Sequence, residues 1–307
     1  MSVPTIGLAL IARDEQHTLP NLLTSIEGAF DQVAVLDTGS TDRTVEVFGK
    51  WAASEKERHP GFVSTLGHFD WCDDFAAARN AADQLLETDW WCWADCDDVI
   101  EGAEGLRPFC RGRSDQRRWC GTTDALFAFP YDLGVDGNNF RARLRRAGVG
   151  QWQGRLHEVI AVQDVRRGPE EIAWKHKKSV AARCRSARRN REILRRWMAD
   201  EPLNLRPVGM LAWSEVMSND RSAGIELLAR YIDIRWAHCE DENEKEQCDV
   251  ARWVLGELET AVSRDAGRGR PYGPEVLLQI LQLALTAITG LSPDSITRGS
   301  PIRARMT

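Results

Sequence analysis

The chain reads as an α/β protein: a mostly parallel sheet flanked by helices, followed by an α-helical domain. Three observations predict this. Short apolar runs alternate with helically periodic segments through the first hundred residues. Polar clusters stand directly after several of those runs, where parallel sheets collect their ligands. Beyond residue 181 the apolar spacing is helical throughout. The expected domains are 1–180 for the sheet and 181–291 for the helices, with 292–307 a disordered tail.

The elements follow in order. Ile6 to Ala12 is a continuous apolar run and predicts a buried strand, after which Leu19, Leu22, Leu23 and Ile26 recur at helical spacing. Val33 to Leu36 predicts a second strand, turned by Asp37-Thr38-Gly39-Ser40. Ser40 or Thr41 is placed to cap a helix bearing Val45, Phe48 and Trp51. Phe62 to Leu66 is the third strand. Phe75, Ala78, Ala82, Leu85 and Leu86 mark the next helix, and Trp90 to Trp93 the fourth strand. From about 105 to 180 the pattern is irregular, with strand-like pieces at Ala125 to Phe129 and Val159 to Val162. Leu211, Glu215, Ile225, Leu228 and Tyr231 suggest paired helices, and further pairs are expected at 247–262 and 274–289.

Composition narrows the function. The 307 residues carry a net charge of -6, which argues against a general nucleic-acid binder. Eight Cys include no Cys-x-x-Cys pair, so zinc-ribbon spacing is absent. Twelve Trp are unusual and are expected in cores or as stacking platforms. The first residues run straight into a strand, and Val276 to Leu291 is too short to span a bilayer. A cytoplasmic protein without membrane insertion is expected.

The polar clusters carry the chemistry. Trp90 to Ala94 ends in Asp95-Cys96-Asp97-Asp98, and charges where a buried strand surfaces are costly unless paired. A divalent cation carrying a diphosphate pairs with them, and oxygen ligands suit Mn2+ or Mg2+. Solvated turns are equally acidic, so the cluster needs its neighbours. Asp37 can accept from a uracil N–H and Thr38 to Ser40 offer backbone donors, or Asp37 and Ser40 merely shape the turn. Glu15, with the backbone near Ala12 and Arg13, completes a base pocket. Arg79, beside Asn80, can reach a diphosphate or form an ordinary ion pair. Gly154-Arg155-Leu156-His157-Glu158 joins an imidazole able to bind metal to a carboxylate of possible base function, although His-Glu pairs are commonly structural.

Taken together, Ile6 to Glu15, Val35 to Thr44, Trp71-Cys72-Asp73-Asp74-Phe75 with Ala78-Arg79-Asn80, the Asp95 to Asp98 cluster and Gly154 to Glu158 resemble a family 2 glycosyltransferase. The resemblance covers about 5–165, with a weaker match to the tetratricopeptide-like helical region that often follows. It implies a GT-A fold, a nucleotide-diphosphate sugar donor (UDP-sugar favoured, GDP-sugar the alternative) and Mn2+ or Mg2+. Carried across by motif, Asp37 and Glu15 contact the nucleoside, with Ala12, Arg13, Thr38, Gly39, Ser40 and Cys96 also lining the donor site. Asp95 lies near the ribose or sugar and Arg79 faces the donor. Asp97 binds the metal, with His157 a second ligand or a pyrophosphate contact. The fourth cluster position, often Glu in the family, is Asp98 here. Glu158 is the candidate base and Asp98 the second; inversion is the family expectation.

Between Arg141 and Arg196 stand seventeen Arg or Lys against five Asp or Glu, leaving the rest strongly acidic. Such asymmetry suggests an anionic neighbour. The belt can neutralise the diphosphate and the acidic sheet domain, dock an acidic acceptor, or contact DNA as in a base-modifying transferase. It can also be a solvated helix face, with Ala187, Leu194 and Trp197 turned to the core. A protein acceptor is favoured, with DNA or another glycan as alternatives. A catalytically inactive nucleotide-binding interaction protein is the reading from outside the enzyme class.

Overall fold

The structure is a computed structural model that describes residues 3–112, 126–132, 139–162, 165–176, 180–217, 221–238 and, beyond these, 240, 245, 248, 252, 255 and 256. The expected helix at 274–289, most of that at 247–262, the apolar run Val276 to Leu291 and the tail 292–307 lie outside the described residues. Two compact units divide between Ser179 and Val180.

In the first unit the chain runs β1 (Ile6–Ala12), α1 (Leu19–Ser25), β2 (Gln32–Asp37), α2 (Thr44–Arg58), β3 (Val63–His68), α3 (Phe75–Asp83) and β4 (Trp90–Asp95). β5 (Asp98–Glu101) follows, then a 3-10 turn at Ala103–Gly105 and α4 over 106–112. β6 (Leu126–Asp132), β7 (Phe140–Arg146), β8 (Trp152–Gln153), β9 (Val159–Ile160), β10 (Arg166–Arg167) and β11 (Ala173–His176) complete it. The sheet order is β3-β2-β1-β4-β7-β6-β11-β5, with β10 also on β6 and with β8 and β9 forming a separate hairpin. β3, β2, β1 and β4 are mutually parallel, whereas β7 lies antiparallel to β4. This is the expected GT-A-type arrangement, a mostly parallel sheet flanked by helices.

β1 lies between β2 and β4 and is buried on both faces, which is why it reads as an unbroken apolar run. Ile6, Leu8 and Leu10 pack with Leu19, Leu22 and Leu23 of α1 and Phe48 of α2. Ala9, with Ala34 and Leu36 of β2, packs on Ala78 and Ala82 of α3. Edge strand β3 is shifted from the expected 62–66 and exposes Val63 and Leu66. The cap of α2 also differs from expectation. Its N-cap is Arg43, which makes no side-chain cap; the preceding Asp42 accepts from the Thr44 amide at 2.9 Å, while Ser40 and Thr41 bind Asp14. Trp90, Trp174, Trp93 and Trp152 are all core residues.

The second unit begins with α5 (Val180–Asp200), α6 (Leu205–Met217) and α7 (Arg221–His238). The expected helix pair forms, with Ile225, Leu228 and Tyr231 of α7 in the shared cluster, but α6 contributes Val208, Ala212 and Trp213 to it in place of the expected Leu211 and Glu215. On α5, Leu194 and Trp197 are buried as expected, but Ala187 is exposed and Ile193 turns inward instead. No helix among the described residues is long and apolar enough to cross a membrane.

Gly102 ends β5 in the left-handed region at φ 68°, where a Cβ would collide with the Glu171 carbonyl oxygen. Gly102→Ala is therefore expected to destabilise the protein by about 1–3 kcal/mol, read by urea denaturation.

Candidate active site

Parallel register brings the polar clusters to one sheet edge. Ala12 stands opposite Asp37, Asp37 opposite His68, and Ile11 opposite Asp95. This edge is the carboxyl end of the strands, where the neighbours of β1 lie on either side of it and a crevice opens. Two loops are laced together there. The Thr38 amide and hydroxyl donate to the Ala12 carbonyl at 2.9 and 3.1 Å, and the Asp14 amide donates to Ser40 Oγ at 3.1 Å. The Glu15 amide donates to Thr44 Oγ1 at 2.7 Å, and the Glu15 carboxylate accepts from the Thr18 hydroxyl. Asp37 is buried and accepts from the amides of Gly39 and Ser40 at 3.1–3.2 Å, with His68 Nδ1 at 3.8 Å. Asp37 thus shapes its turn, and Gly39 turns it with φ 97°.

Asp95 is the last residue of β4, and the two following residues reverse the chain into β5. β11 pairs antiparallel with β5 and sets His176 opposite Asp98. The ligand atoms of Asp95, Asp97, Asp98 and His176 consequently lie within 4.8 Å of one another. Asp98 is the hub. Its side chain is 0 % exposed. One oxygen accepts from the Tyr131 hydroxyl and faces His176 Nδ1, both at 2.9 Å; the other accepts from the Asp95 amide at 2.9 Å. His176 Nδ1 is also 3.4 Å from Asp97. Burial lowers the His176 pKa, but the hydrogen bond to Asp98 and the charges of Asp97 and Asp95 outweigh it and leave it raised.

Three carboxylates and one imidazole form a hard, oxygen-rich donor set with one nitrogen, which fits Mn2+ and, less selectively, Mg2+. Nδ1 is the His176 nitrogen that faces both Asp97 and Asp98, and so the one placed beside any ion they share.

A second assembly rides on α3. Asp74 caps it by accepting from the Ala77 amide at 2.9 Å. Arg79 Nη2 donates to Asp95 at 2.5 Å, Nη1 to the Ala94 carbonyl at 3.3 Å and Nε to Glu158 at 3.1 Å. Burial pulls the Arg79 pKa down, yet the charges of Asp95 and Glu158 raise it overall. Burial pushes the Asp95 carboxyl up, but Arg79 and Arg143 hold it well below the usual range. Asn80 exchanges two hydrogen bonds with the Trp152 backbone at 3.0 Å, and the Phe75 amide donates to the Arg155 carbonyl. The 152–158 segment is thereby fastened to α3, which delivers Glu158 to Arg79.

Not every expected residue converges. Glu158 and Asp95 meet through Arg79, and Asp97 and Asp98 belong to the cluster. His157, in the left-handed region at φ 51°, is not among the clustered ligands; His176 stands there instead. Cys96 is buried, its thiol directed at the Ile11 carbonyl at 3.4 Å. Arg13 is exposed on the loop after β1. His68, His176, Tyr131 and Arg143 were missed, because isolated residues at strand positions leave no local signal. The alternation Ala173-Trp174-Lys175-His176 marks a strand, but only its pairing with β5 gives His176 a role.

Residues 8–107 match the model for Glycosyl transferase family 2, about a third of the chain. A TPR repeat-containing protein of Synechococcus elongatus is 39% identical over 104 residues, 33% of this chain and 23% of that one. The SPbeta prophage-derived glycosyltransferase SunS of Bacillus subtilis is 28% identical over 96 residues, 31% of this chain and 21% of that one. The matches thus span less than a quarter of these relatives. S. aureus TarS 1-349, in complex with UDP-GlcNAc, aligns with a TM-score of 0.48 at 12% identity, covering 97% of this chain and 93% of that one. The residues that match this family model include Asp37, Asp95, Asp97 and Asp98, whereas His176 lies beyond them.

The far end of α3 is held by a buried ion pair. Asp83 accepts from Arg145 and, at 2.8 Å, from Trp152 Nε1, while Arg145 stacks over Trp91. Arg145→Met strands the Asp83 charge and is expected to cost about 3–5 kcal/mol in chemical denaturation. Adding Asp83→Asn is expected to recover part of that loss.

Proposed function

We propose that the chain is a metal-dependent glycosyltransferase that moves a sugar from a nucleotide-diphosphate donor, UDP-sugar before GDP-sugar, to a protein acceptor with inversion. The observation that carries this is the convergence of Asp95, Asp97, Asp98 and His176 at the strand edge that also holds Ala12 and Asp37, the three aspartates of the cluster lying within the segment that matches a glycosyltransferase family. Asp37 and the laced loops 13–16 and 38–44 are the nucleoside side of the crevice, and the cluster is the diphosphate side.

Asp95, Asp97 and His176 would hold the divalent cation, which supplies charge neutralisation for the departing nucleotide diphosphate. Asp98 positions: its oxygens already accept from Tyr131 and the Asp95 amide and engage His176, and a carboxylate so enclosed has no path to an acceptor hydroxyl. Glu158 remains as the base. Its side chain is 15 % exposed and oriented by Arg79 Nε, so a carboxylate oxygen can take the acceptor's proton as the new glycosidic bond forms. Arg79 offsets part of the negative charge on Asp95 and so keeps that carboxylate ionised beside the donor.

The ligand assignment has a direct test. Asp97→Ala and His176→Ala are each expected to weaken Mn2+ binding at least roughly tenfold in titration calorimetry, a typical effect of losing one ligand or its orienting partner. His157→Ala is expected to leave it unchanged; a loss there equal to that of His176→Ala would return the ligand role to His157.

The activity is tested by incubating nucleotide sugars with the purified chain, with Mn2+ and with chelator, and assaying released UDP or GDP. Slow metal-dependent hydrolysis of one donor is expected. Neither turnover nor donor binding across the panel would overturn the transferase reading in favour of an interaction protein.

A further inference from the structure

β7 and β6 do not pair evenly. Phe127 is opposite Leu144 and Ala128 opposite Ala142, so Arg143 is the additional residue of a β-bulge. Bulges re-aim side chains and concentrate beside functional sites. Here the bulge sends a long cation into the floor of the acidic cluster. The Arg143 side chain is 6 % exposed, with Nη2 3.9 Å from Asp95 Oδ2 and 3.7 Å from Asp98 Oδ2. Its guanidinium carbon lies 4.6 Å from the centre of the Tyr131 ring, whose hydroxyl donates to Asp98. Nε is buried without a hydrogen-bond partner.

Those carboxylate distances exceed hydrogen-bond length. A buried guanidinium that makes no hydrogen bond to the carboxylates beside it contributes charge, not direction. Asp95, Asp97 and Asp98 crowd three carboxylates within 4.8 Å, and Arg79 divides its charge between Asp95 and Glu158. Arg143 supplies a further positive charge directly beside Asp95 and Asp98, while Arg141 lies over the Tyr131 ring at 4.3 Å and His176 contacts Asp97 and Asp98.

We infer that Arg143 is a positioning residue whose charge holds the carboxylates of the cluster together before metal binds and sets how tightly the metal is then held. The second half rests on the metal reading above; the first does not. The two charges compete for the same carboxylates, so removing Arg143 weakens the metal-free protein and strengthens its grip on a divalent cation.

The test compares the full chain with Arg143→Lys, Arg143→Met and Asp95→Asn/Arg143→Met. Two readouts are used: thermal unfolding in chelator and Mn2+ titration by calorimetry. Arg143→Met is expected to melt lower in chelator and to bind Mn2+ roughly tenfold or more tighter, the scale of losing a unit charge a few ångströms away. Arg143→Lys is expected to stay within about twofold of the parent affinity, because the charge is kept. The double variant is expected to regain chelator stability, since Asn keeps an acceptor for Arg79 and removes the surplus charge. Unchanged or weaker Mn2+ binding in Arg143→Met, or additive losses in the double variant, would overturn the inference. If Arg143→Met alone does not fold, the double variant is expected to fold, and failure of both overturns it. Should the parent chain bind no Mn2+, the metal reading fails, and rescue against additivity in chelator still decides the role of Arg143.

Discussion

A carboxylate with no exposed surface, Asp98, lies at the start of β5, and the geometry around it follows from the need to keep it satisfied. Burying an ionised carboxylate costs several kcal/mol unless its lone pairs are filled and its charge is opposed. Tyr131 from β6, His176 from β11 and the Asp95 amide meet the first demand, and Arg143 from β7 helps meet the second. Four separate segments are thus tied to one side chain. Asp95, Asp97 and His176 converge because Asp98 lies behind them. A partly satisfied network of this kind would be worse than an apolar core, so its members act as a unit.

The opposite wall is built on the same logic from α3. Arg79 joins Asp95 of the cluster to Glu158 of the β8–β9 segment, and Asn80, Asp83 and Trp152 fasten that segment in place. Trp152 makes an edge contact with Trp93 at 4.9 Å between ring centres, which carries the anchoring into β4 itself. Asp95, the last residue of β4, is therefore held from two sides, by Arg79 and by the turn into β5.

The basic belt divides into parts with different work. On β7, Arg143 and Arg145 are buried and face Asp95, Asp98 and Asp83. This agrees with the expectation that the belt offsets the acidity of the sheet domain. On α5, Arg191 and Arg195 pair with Glu215 of α6 inside the helical unit, and Arg185, Arg188 and Arg196 are exposed. These residues form a largely solvated face with its own ion pairs, the plainest explanation of a charged helix.

Sequence by itself determined what depends on near neighbours. The unbroken apolar run of β1, the helical spacing of α1 and α3, and the acidic end of β4 are local properties, and each is found where its pattern places it, except that α3 ends at Asp83, before the expected Leu85 and Leu86. Asp95, Asp97 and Arg79 were legible as residues of the candidate site because they sit on or beside those elements. Tertiary structure alone decided the rest. His176 reaches Asp98 across 78 residues, and Glu158 reaches Arg79 across 79. Arg143 owes its direction to a single residue of slippage between β6 and β7. Strand pairing is a long-range event whose register no short window contains, and the partner of a buried charge is chosen by that register.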